Sequence, residues 1–584
     1  MGPKGAIPLR FFAASVKHLY SMLIRRSLWL GLSALLLLGL GVGCRRSEPE
    51  VPKPDNSVPE KSRVLAKIHW VGQERLCADA NSAYLTSLLQ VPEAPKMGEE
   101  VLQKLSRAPW TSLMGLTNSA AASNEASGLL LTLLRKVVAK EVFLEVQRIT
   151  NQPLDLALAV RLNADDASLW ASNSLAILSA LNGLTALEPT PSAGTRVWRW
   201  EQGERTNYIR VQTAGDWTLV GLGGRTNSVL EDFVSRIQRD TSPVAGAGTN
   251  HWLEIYCDLA NLLPTISVEW PLPTPPPKIN LNVSGDGEYI KTDGQLVFGE
   301  PLKLDRDPWL IPTNMIREPL VSFGAFQGIR PWLKTIKWIE NLQLTNTPNQ
   351  FFTWSVSTSP MHVFAATPFP NASAEVDRVG PGLEKAINSW LTNNANGAVE
   401  FSAPDHGIGW VPVPLVTPAF QAFPGLGGGL LLGRLAPTPP PPGKTVPPEL
   451  LNRVTSRTNL VYYDWEITET RLKQWLFLAQ SLRVAFHRAQ MPGDCLSLAF
   501  LKAVSPKLGN TVTEVLQTGP STLSFVRKSH CGFTGLELHL LTDWVESPVF
   551  PVGLHTELHG DGGVLRWNAK TKSLEPGAGV APAK

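Results

Sequence analysis

The stretch VFLEVQRITNQPLDLALAVRLNADDASLWASNSLAILSAL, residues 142–181, combines three local patterns in a fixed order. Two apolar runs with alternating or β-branched residues, 142–149 and 154–162, are separated by a short turn, which is typical of a β-hairpin. Polar residues then precede a segment with helical apolar spacing, which predicts a helix from about Asp165 to Leu181. The stretch therefore predicts a hairpin with one helix packed on it.

The same order of two strands and a helix occurs twice more. In 207–238 the strands are NYIRVQ and WTLVGLG, and the helix TNSVLEDFVSRIQ has Thr226 or Ser228 as its predicted cap. In 351–391 the strands are FFTWSVS and MHVFAATPF, followed by the helix NASAEVDRVGPGLEKAINSWL. Each unit has one apolar face, which a helix or a neighbouring unit must cover. We therefore predict an α+β fold of mainly antiparallel sheets with helices packed on one face, built from repeated β-β-α units.

Stretches rich in proline and glycine divide the chain, because neither residue suits the interior of a strand or helix. The main breaks are WPLPTPPPK at 270–278 and a long run that ends at Glu449. The predicted divisions are an export signal or anchor at 1–44, a proline-rich tether at 45–62, α+β domains at 63–268 and 278–425, a linker at 426–449, a C-terminal α+β region at 450–570 and a disordered tail at 571–584.

The N-terminal region has the charge pattern of an export signal. Basic residues without any acidic residue precede Leu28–Gly43, a run of 16 residues that contains no charge. As a helix this run would be about 24 Å long, which is short for a hydrocarbon core of about 30 Å. A cleaved signal is therefore favoured over a permanent membrane span. A start at Met22 instead of Met1 would give a signal of ordinary length.

The end of this run, Gly41-Val42-Gly43-Cys44, resembles the lipobox of bacterial lipoproteins, although Gly41 occupies a place where that family prefers Leu. The resemblance implies that Cys44 is lipid-modified and is the first residue of the mature protein. The alternative is an uncleaved transmembrane helix. Arg45 and Arg46 disfavour this helix, because they place positive charge on its exported side.

The organisation of the whole chain resembles that of uncharacterised exported bacterial proteins, in which a lipoprotein-like leader precedes repeated hairpin-helix units. This resemblance implies a location in the bacterial cell envelope or periplasm, with the body outside the cytoplasm and the N-terminal anchor in a membrane. The leading hypothesis is a non-catalytic protein that binds or organises a protein or envelope ligand. The alternative is an extracytoplasmic, hydrolase-like enzyme, although the sequence contains no GxSxG or SxxK motif.

Composition argues against nucleic acid as a partner. The 53 basic and 50 acidic residues leave a net charge of only +3, and no basic stripe is interleaved with aromatic residues. Charged residues make up 18% of the chain, below the roughly 25% usual for soluble domains, and there are 47 glycines and 48 prolines. This balance is more typical of a loop-rich exported protein than of a cytosolic enzyme.

The cysteines leave two interpretations open. Apart from Cys44, they are Cys77, Cys257, Cys495 and Cys531. In an oxidising compartment four cysteines can form two disulfides in three connectivities. Because no CxxC spacing is present, buried free thiols are an equally good interpretation.

No cofactor is expected, and the candidate metal ligands are weak. His555, Glu557 and His559 in GLHTELHGDGG would share one face of a strand, but their spacing matches no known metal motif, so we predict that they bind no structural metal. The glycine-rich loop GLGGRTNS at 221–228 lacks the features of a phosphate-binding loop, which favours a structural turn. His406, and His530 beside Cys531, have no partner that the sequence reveals.

Overall fold

The computed structural model describes residues 63–551 with internal gaps, and two short strands beyond them. The gaps are 111–119, 149–153, 181–183, 188–194, 203–204, 225–226, 244–249, 266–269, 271–273, 395–397, 412–416, 424–428, 436–442, 447, 486–493 and 548–549. The two strands beyond are β21 (Leu565–Asn568) and β22 (Ser573–Pro576), which pair with each other.

The strands before residue 300 are β1 (Arg63–Trp70), β2 (Val142–Arg148), β3 (Leu154–Arg161), β4 (Leu184–Leu187), β5 (Arg196–Gln202), β6 (Arg205–Ala214), β7 (Trp217–Gly223), β8 (Leu253–Asp258), β9 (Lys278–Gly285) and β10 (Ile290–Val297). Those after residue 300 are β11 (Leu320–Gln327), β12 (Gln350–Val356), β13 (Val363–Pro368), β14 (Ala398–Ser402), β15 (Gly407–Val411), β16 (Ala419–Phe423), β17 (Leu430–Arg434), β18 (Leu460–Ile467), β19 (Asn510–Gly519) and β20 (Thr522–Ser529).

These strands form one sheet in which every pair described is antiparallel. The first half has the order β4-β5-β6-β7-β3-β2-β1-β8-β9-β10. The second half continues as β20-β19-β18-β11-β12-β13-β17-β16-β15-β14. If ten is added to each strand number in the order of the first half, the result is β14-β15-β16-β17-β13-β12-β11-β18-β19-β20. This is the order of the second half, read from its outer edge at β14. The described chain is thus an internal duplication of one ten-strand topology.

The equivalent strands β10 and β20 pair with each other and join the two halves; we call this pair the seam. Its register runs without a bulge from Ile290 opposite Ser529 to Val297 opposite Thr522. Because the two strands are equivalent and antiparallel, the halves are related by an approximate twofold axis through the seam.

The helices are α1 (Gln73–Ala78), α2 (Ala83–Leu89), α3 (Glu93–Ala108), α4 (Ala120–Ala139), α5 (Ala164–Ala180), α6 (Ser228–Asp240), α7 (Leu259–Thr265), α8 (Arg330–Leu333), α9 (Lys337–Asn341), α10 (Ala372–Asn394), α11 (Pro448–Thr455), α12 (Thr468–Ala485), α13 (Leu496–Val504) and α14 (Gly535–Val545). The pairs α5 and α10, α6 and α11, and α7 and α12 follow equivalent strands. The connection from β1 to β2 holds α1 to α4, and the equivalent connection from β11 to β12 holds the two short helices α8 and α9.

The predicted α+β class with antiparallel pairing is confirmed, and the three hairpin-helix units are β2-β3-α5, β6-β7-α6 and β12-β13-α10. Each helix covers one face of the sheet. Trp170 of α5 packs with Val160 on one face, whereas Phe233 of α6 packs with Ala159 on the opposite face. Successive units therefore use opposite faces, and the sheet as a whole carries helices on both.

The cap of α6 differs from the prediction by one residue. Asn227, between the predicted Thr226 and Ser228, accepts a hydrogen bond from the Leu230 amide at 2.9 Å. Its side-chain amide also donates to the carbonyl oxygens of two strand residues, in β3 and β7. Asn is needed here because neither Ser nor Thr can make all three bonds.

The proline-rich break at 270–278 connects β8 and β9, which pair with each other. The stretch at 426–449 contains β17, which lies between β13 and β16. The division into domains stays a prediction. Within the described residues, no helix combines the length and apolarity needed to cross a bilayer.

Candidate functional site: the open face at the seam

The strands that flank the seam, β9, β10, β20 and β19, form a thin part of the sheet. Within these four described strands, buried side chains are confined to one end, at Ile290, Thr511, Thr513 and Ser529. One face is polar and carries exposed residues such as Asn280 and Lys291. The other face is mostly apolar yet only partly buried.

The strand register aligns one row of residues across this apolar face, which we call the seam row: Leu281, Gly294, Phe525, Val515, Tyr462 and Phe326. Phe326 is 38% exposed and the other members are partly exposed. With neighbouring strands about 4.8 Å apart, the row is about 24 Å long. Leaving so many apolar side chains partly open forgoes stability, because fully burying each would contribute roughly 1.5–3 kcal/mol.

Glycine is required in the middle of the seam row. A Cβ atom at Gly294 would lie 2.2 Å from the Asn280 carbonyl oxygen and 2.6 Å from Cε1 of Phe525. The Phe525 ring therefore covers Gly294 and fills the place of the missing side chain.

Two residues further along each strand, the register aligns a second row, which we call the polar row: Thr292, Arg527, Thr513, Asp464 and Gly324. The two rows lie about 7 Å apart on the same face. The open face is thus amphipathic, with an apolar row beside a charged one.

Both guanidinium groups near the polar row already have partners. Arg527 donates from its two terminal nitrogens to the Glu537 carboxylate at 2.7 and 3.0 Å, a bidentate pair. Glu537 also closes the capping box of α14 with Thr534. Arg471 of α12 donates to Gln474 at 3.0 Å and lies over the ring of Trp475.

The acidic residues of β18 differ in their contacts. Glu466 accepts a hydrogen bond from the Gly535 amide at 2.7 Å, at the start of α14. For the Asp464 carboxylate, no hydrogen bond or ion pair is found within the described residues, although it is only partly exposed. The pKa of Asp464 is raised to about 7, chiefly by burial and then by the negative charge of Glu466, although Arg471 and Arg527 act in the opposite direction. Asp464 therefore changes charge near neutral pH.

The first half shows that the fold does not require these charges. Counted back from the following helix, Asp464 and Glu466 are equivalent to Ile255 and Cys257 of β8. In the first half this region is an apolar cluster with Leu259 of α7. One topology thus accommodates either an apolar core or a charged cluster at this place. A buried charged cluster that the fold does not need is a candidate functional site.

In the described part of the glycine-rich loop at 221–228, a side chain of the protein itself binds two backbone amides. The Asp155 carboxylate accepts from the amides of Gly224 at 3.3 Å and Ser228 at 3.0 Å. A carboxylate of the chain itself thus occupies the place that a bound anion would take. This contact supports the interpretation of the loop as a structural turn.

The four cysteines that the structure describes are all free thiols. Burial raises the pKa of Cys257 to about 12 and that of Cys531 to about 11, so both are protonated and unreactive at neutral pH. Cys44, as well as His555, Glu557 and His559, lies outside the described residues. Among those described, no group of His, Cys, Asp and Glu is arranged to hold a metal ion.

The histidines singled out in the sequence have structural neighbours. His406 pairs with Asp377, with Nδ1 2.8 Å from the carboxylate. His530 packs between the rings of Tyr84 and Tyr289, at centroid distances of 4.9 and 4.4 Å. Tyr84 belongs to the first half, and His530 directly follows β20 of the second half. This contact therefore holds the two halves together.

Sequence reasoning missed Asp464, Arg471, Arg527 and Glu537. The available signal was the run YYDWEI in β18, where acidic residues occupy alternate positions. Comparison with the equivalent run of the first half, IYCDL, would have shown that acidic residues at these positions of β18 are unusual. That comparison requires the duplication to be recognised first.

No family model and no curated protein matches the chain. A solved structure described as crystal form III of TP0453 aligns with 42% of this chain and 82% of its own, at 9% identity and a TM-score of 0.21. A similarity this weak carries no argument about fold or function.

Proposed function

We propose that the protein is a non-catalytic binding protein of the bacterial cell envelope, that its N-terminal segment tethers it to a membrane with the body outside the cytoplasm, and that the seam row holds its ligand. The observation that carries the proposal is the seam row itself. Its apolar side chains are left partly open, whereas four apolar clusters elsewhere on the described sheet are buried. An open apolar surface with polar groups at its border is typical of a binding site.

Binding can be tested with the full chain and a neutral fluorescent probe, N-phenyl-1-naphthylamine. The variant Val515→Thr makes the seam row more polar with little change in volume. Val526→Thr is the matched control, because Val526 is 40% exposed on the opposite face of β20. We expect Val515→Thr to weaken probe binding severalfold and Val526→Thr to leave it unchanged. Equal affinity in the two variants would exclude the seam row as the binding site.

The tether can be tested by intact-mass measurement of the protein extracted from membranes. We expect a chain that begins at Cys44 and carries added acyl mass, and Cys44→Ser should release the protein from the membrane. An intact N-terminus together with unchanged membrane attachment of Cys44→Ser would instead establish an uncleaved helix. Recovery of the unaltered chain in the soluble fraction alone would remove the tether from the proposal.

A further inference from the structure

We infer that the seam row holds the acyl chain of a membrane lipid whose headgroup carries an ammonium group, and that the Asp464 carboxylate is the partner of that ammonium group. This inference rests on the proposed function and adds the chemical class of the ligand. The geometry of the two rows, the charge balance of the polar row and the position of the tether each support it.

The geometry suits an amphiphile. The seam row is about 24 Å long, and the acyl region of one membrane leaflet is about 15 Å thick. A chain lying along the row would place its head about 7 Å away, beside the polar row. Tyr462 of the seam row and Asp464 of the polar row are two residues apart on β18, so a chain that ends at Tyr462 would place its head beside Asp464.

The charge balance favours a cationic head. Around Asp464 lie the carboxylates of Glu466 and Glu537 and the guanidinium groups of Arg471 and Arg527. When all five groups are ionised, three acids against two bases leave one negative charge unmatched. Arg527 is engaged by Glu537, whereas Asp464 has no such partner within the described cluster. An ammonium group would supply the missing charge, and an anionic head would face three carboxylates.

The first described strand, β1, lies three strands from β10, in the order β1-β8-β9-β10. The register aligns another, mostly apolar row beside the seam row: Ala66, Cys257, Ile279, Leu296 and Leu523. The first described residue, Arg63, lies three residues before Ala66 on β1. The predicted tether, 45–62, can span at most about 60 Å. A membrane lipid is therefore the amphiphile nearest to this face.

The inference can be tested by calorimetric titration of the full chain with dodecylammonium below its micelle concentration. Dodecyl sulfate and the neutral dodecyl maltoside have the same chain and serve as head-group controls. At about pH 8 Asp464 is ionised. We expect dodecylammonium to bind roughly tenfold more tightly than dodecyl sulfate, the effect of one matched charge pair. Binding of dodecylammonium should weaken as the pH falls below about 7.

The decisive variant is Asp464→Asn, and its matched control is Asp293→Asn on the opposite face of β10. We expect Asp464→Asn to weaken dodecylammonium binding roughly tenfold and to leave dodecyl maltoside binding unchanged. Asp293→Asn should change neither. Unchanged dodecylammonium affinity in Asp464→Asn, or tighter binding of dodecyl sulfate, would overturn the inference.

The outcomes separate this inference from the proposed function. If Val515→Thr weakens dodecyl maltoside binding while Asp464→Asn has no effect, the seam row stands as a binding site and the cationic head is refuted. If neither variant affects any of the three amphiphiles, both proposals fail. Vesicles distinguish the source of the amphiphile: binding to vesicles of an amine-headed phospholipid supports a membrane lipid. If the protein binds free dodecylammonium but takes up no lipid from such vesicles, a membrane lipid is excluded as the ligand.

Discussion

At the scale of the residue, Asp464 decides the charge of the polar row. The Glu466 carboxylate bonds to a backbone amide and the Arg527 guanidinium bonds to Glu537, so these groups hold their charges in place. Asp464 lacks such a partner within the described cluster and lies on a partly buried face. Because its pKa is raised to about 7, chiefly by burial, this residue changes charge near neutral pH.

The raised pKa of Asp464 makes stability depend on pH. Between its ordinary pKa of 3.8 and about 7, the folded chain holds a proton that the unfolded chain has released. This group therefore contributes its full stabilisation below about pH 4. The free energy of unfolding falls as the pH rises from about 4 through 7, and the contribution is then lost. Asp464→Asn removes this loss, and we expect it to be more stable than the native chain at about pH 8 by a few kcal/mol.

Urea denaturation of both chains at about pH 5 and pH 8 checks this prediction. Asp293→Asn is the control, because Asp293 forms an ordinary surface pair with Lys291. An equal pH dependence in Asp464→Asn and the native chain would contradict the prediction.

Gly294 is a second residue with a specific steric role. Gly294→Ala would force a methyl group against the Asn280 carbonyl oxygen of β9 and the Phe525 ring of β20. We expect a loss of about 1–3 kcal/mol in unfolding free energy, the usual cost of overpacking. Gly409→Ala in β15 is the matched control, since its Cβ atom would meet nothing within 4 Å. Thermal denaturation of the two variants provides the comparison.

At the scale of the element, β14 is the outer edge of the second half and its backbone is protected by a side chain. Asn388 of α10 accepts from the Val399 amide at 2.6 Å and donates to the Val399 carbonyl oxygen at 2.8 Å. The side-chain amide thus takes the place of a neighbouring strand. An exposed strand edge is a common route to self-association, and Asn388 blocks it here.

We expect Asn388→Ala to promote association of the chain with itself, because both Val399 backbone groups become free to pair with another strand. Sedimentation velocity over a range of protein concentrations measures this effect. Asn280→Ala is a change of the same type on the exposed polar face of β9, and this variant should sediment as the native chain does. If both variants sediment as the native chain does, Asn388 does not protect the edge.

At the scale of the whole molecule, two equivalent halves share one sheet, and only the seam joins their strands within the described residues. The halves diverged around this common plan. The first half covers β8 with an apolar helix, whereas the second covers β18 with α12 and α14 and a charged cluster. The proposed binding face therefore lies where the two halves meet, and one half alone would lack it.

The register of the seam can be tested with an engineered disulfide. Gln295 of β10 lies opposite Ser524 of β20 on the polar face. Opposed residues in antiparallel strands have Cα atoms about 4.5–5.5 Å apart, within the range of a disulfide. We expect Gln295→Cys with Ser524→Cys to form a cross-link on mild oxidation, which peptide mass spectrometry identifies. Gln295→Cys with Lys528→Cys, four residues out of register, should not cross-link.

Local patterns were sufficient to predict three hairpin-helix units of this protein. The alternation in β2 and β3 and the helical spacing in α5 predicted a hairpin-helix unit, because strand and helix periodicity depend on residues close together in the chain. Two further units followed from the same patterns. The repeated order of two strands and a helix also predicted the antiparallel α+β class, which is confirmed.

Only the tertiary structure decided how these units combine. The seam pairs strands more than 200 residues apart, β10 (Ile290–Val297) and β20 (Thr522–Ser529), and no local pattern encodes which distant edge a strand will meet. The candidate site depends on the same pairing, because the seam row and the polar row collect side chains from separate strands. Asp464 looks like an ordinary polar residue of an alternating strand in the sequence. Its burial, its missing partner and its neutral-range pKa arise only when β11, β19, α12 and α14 pack around it.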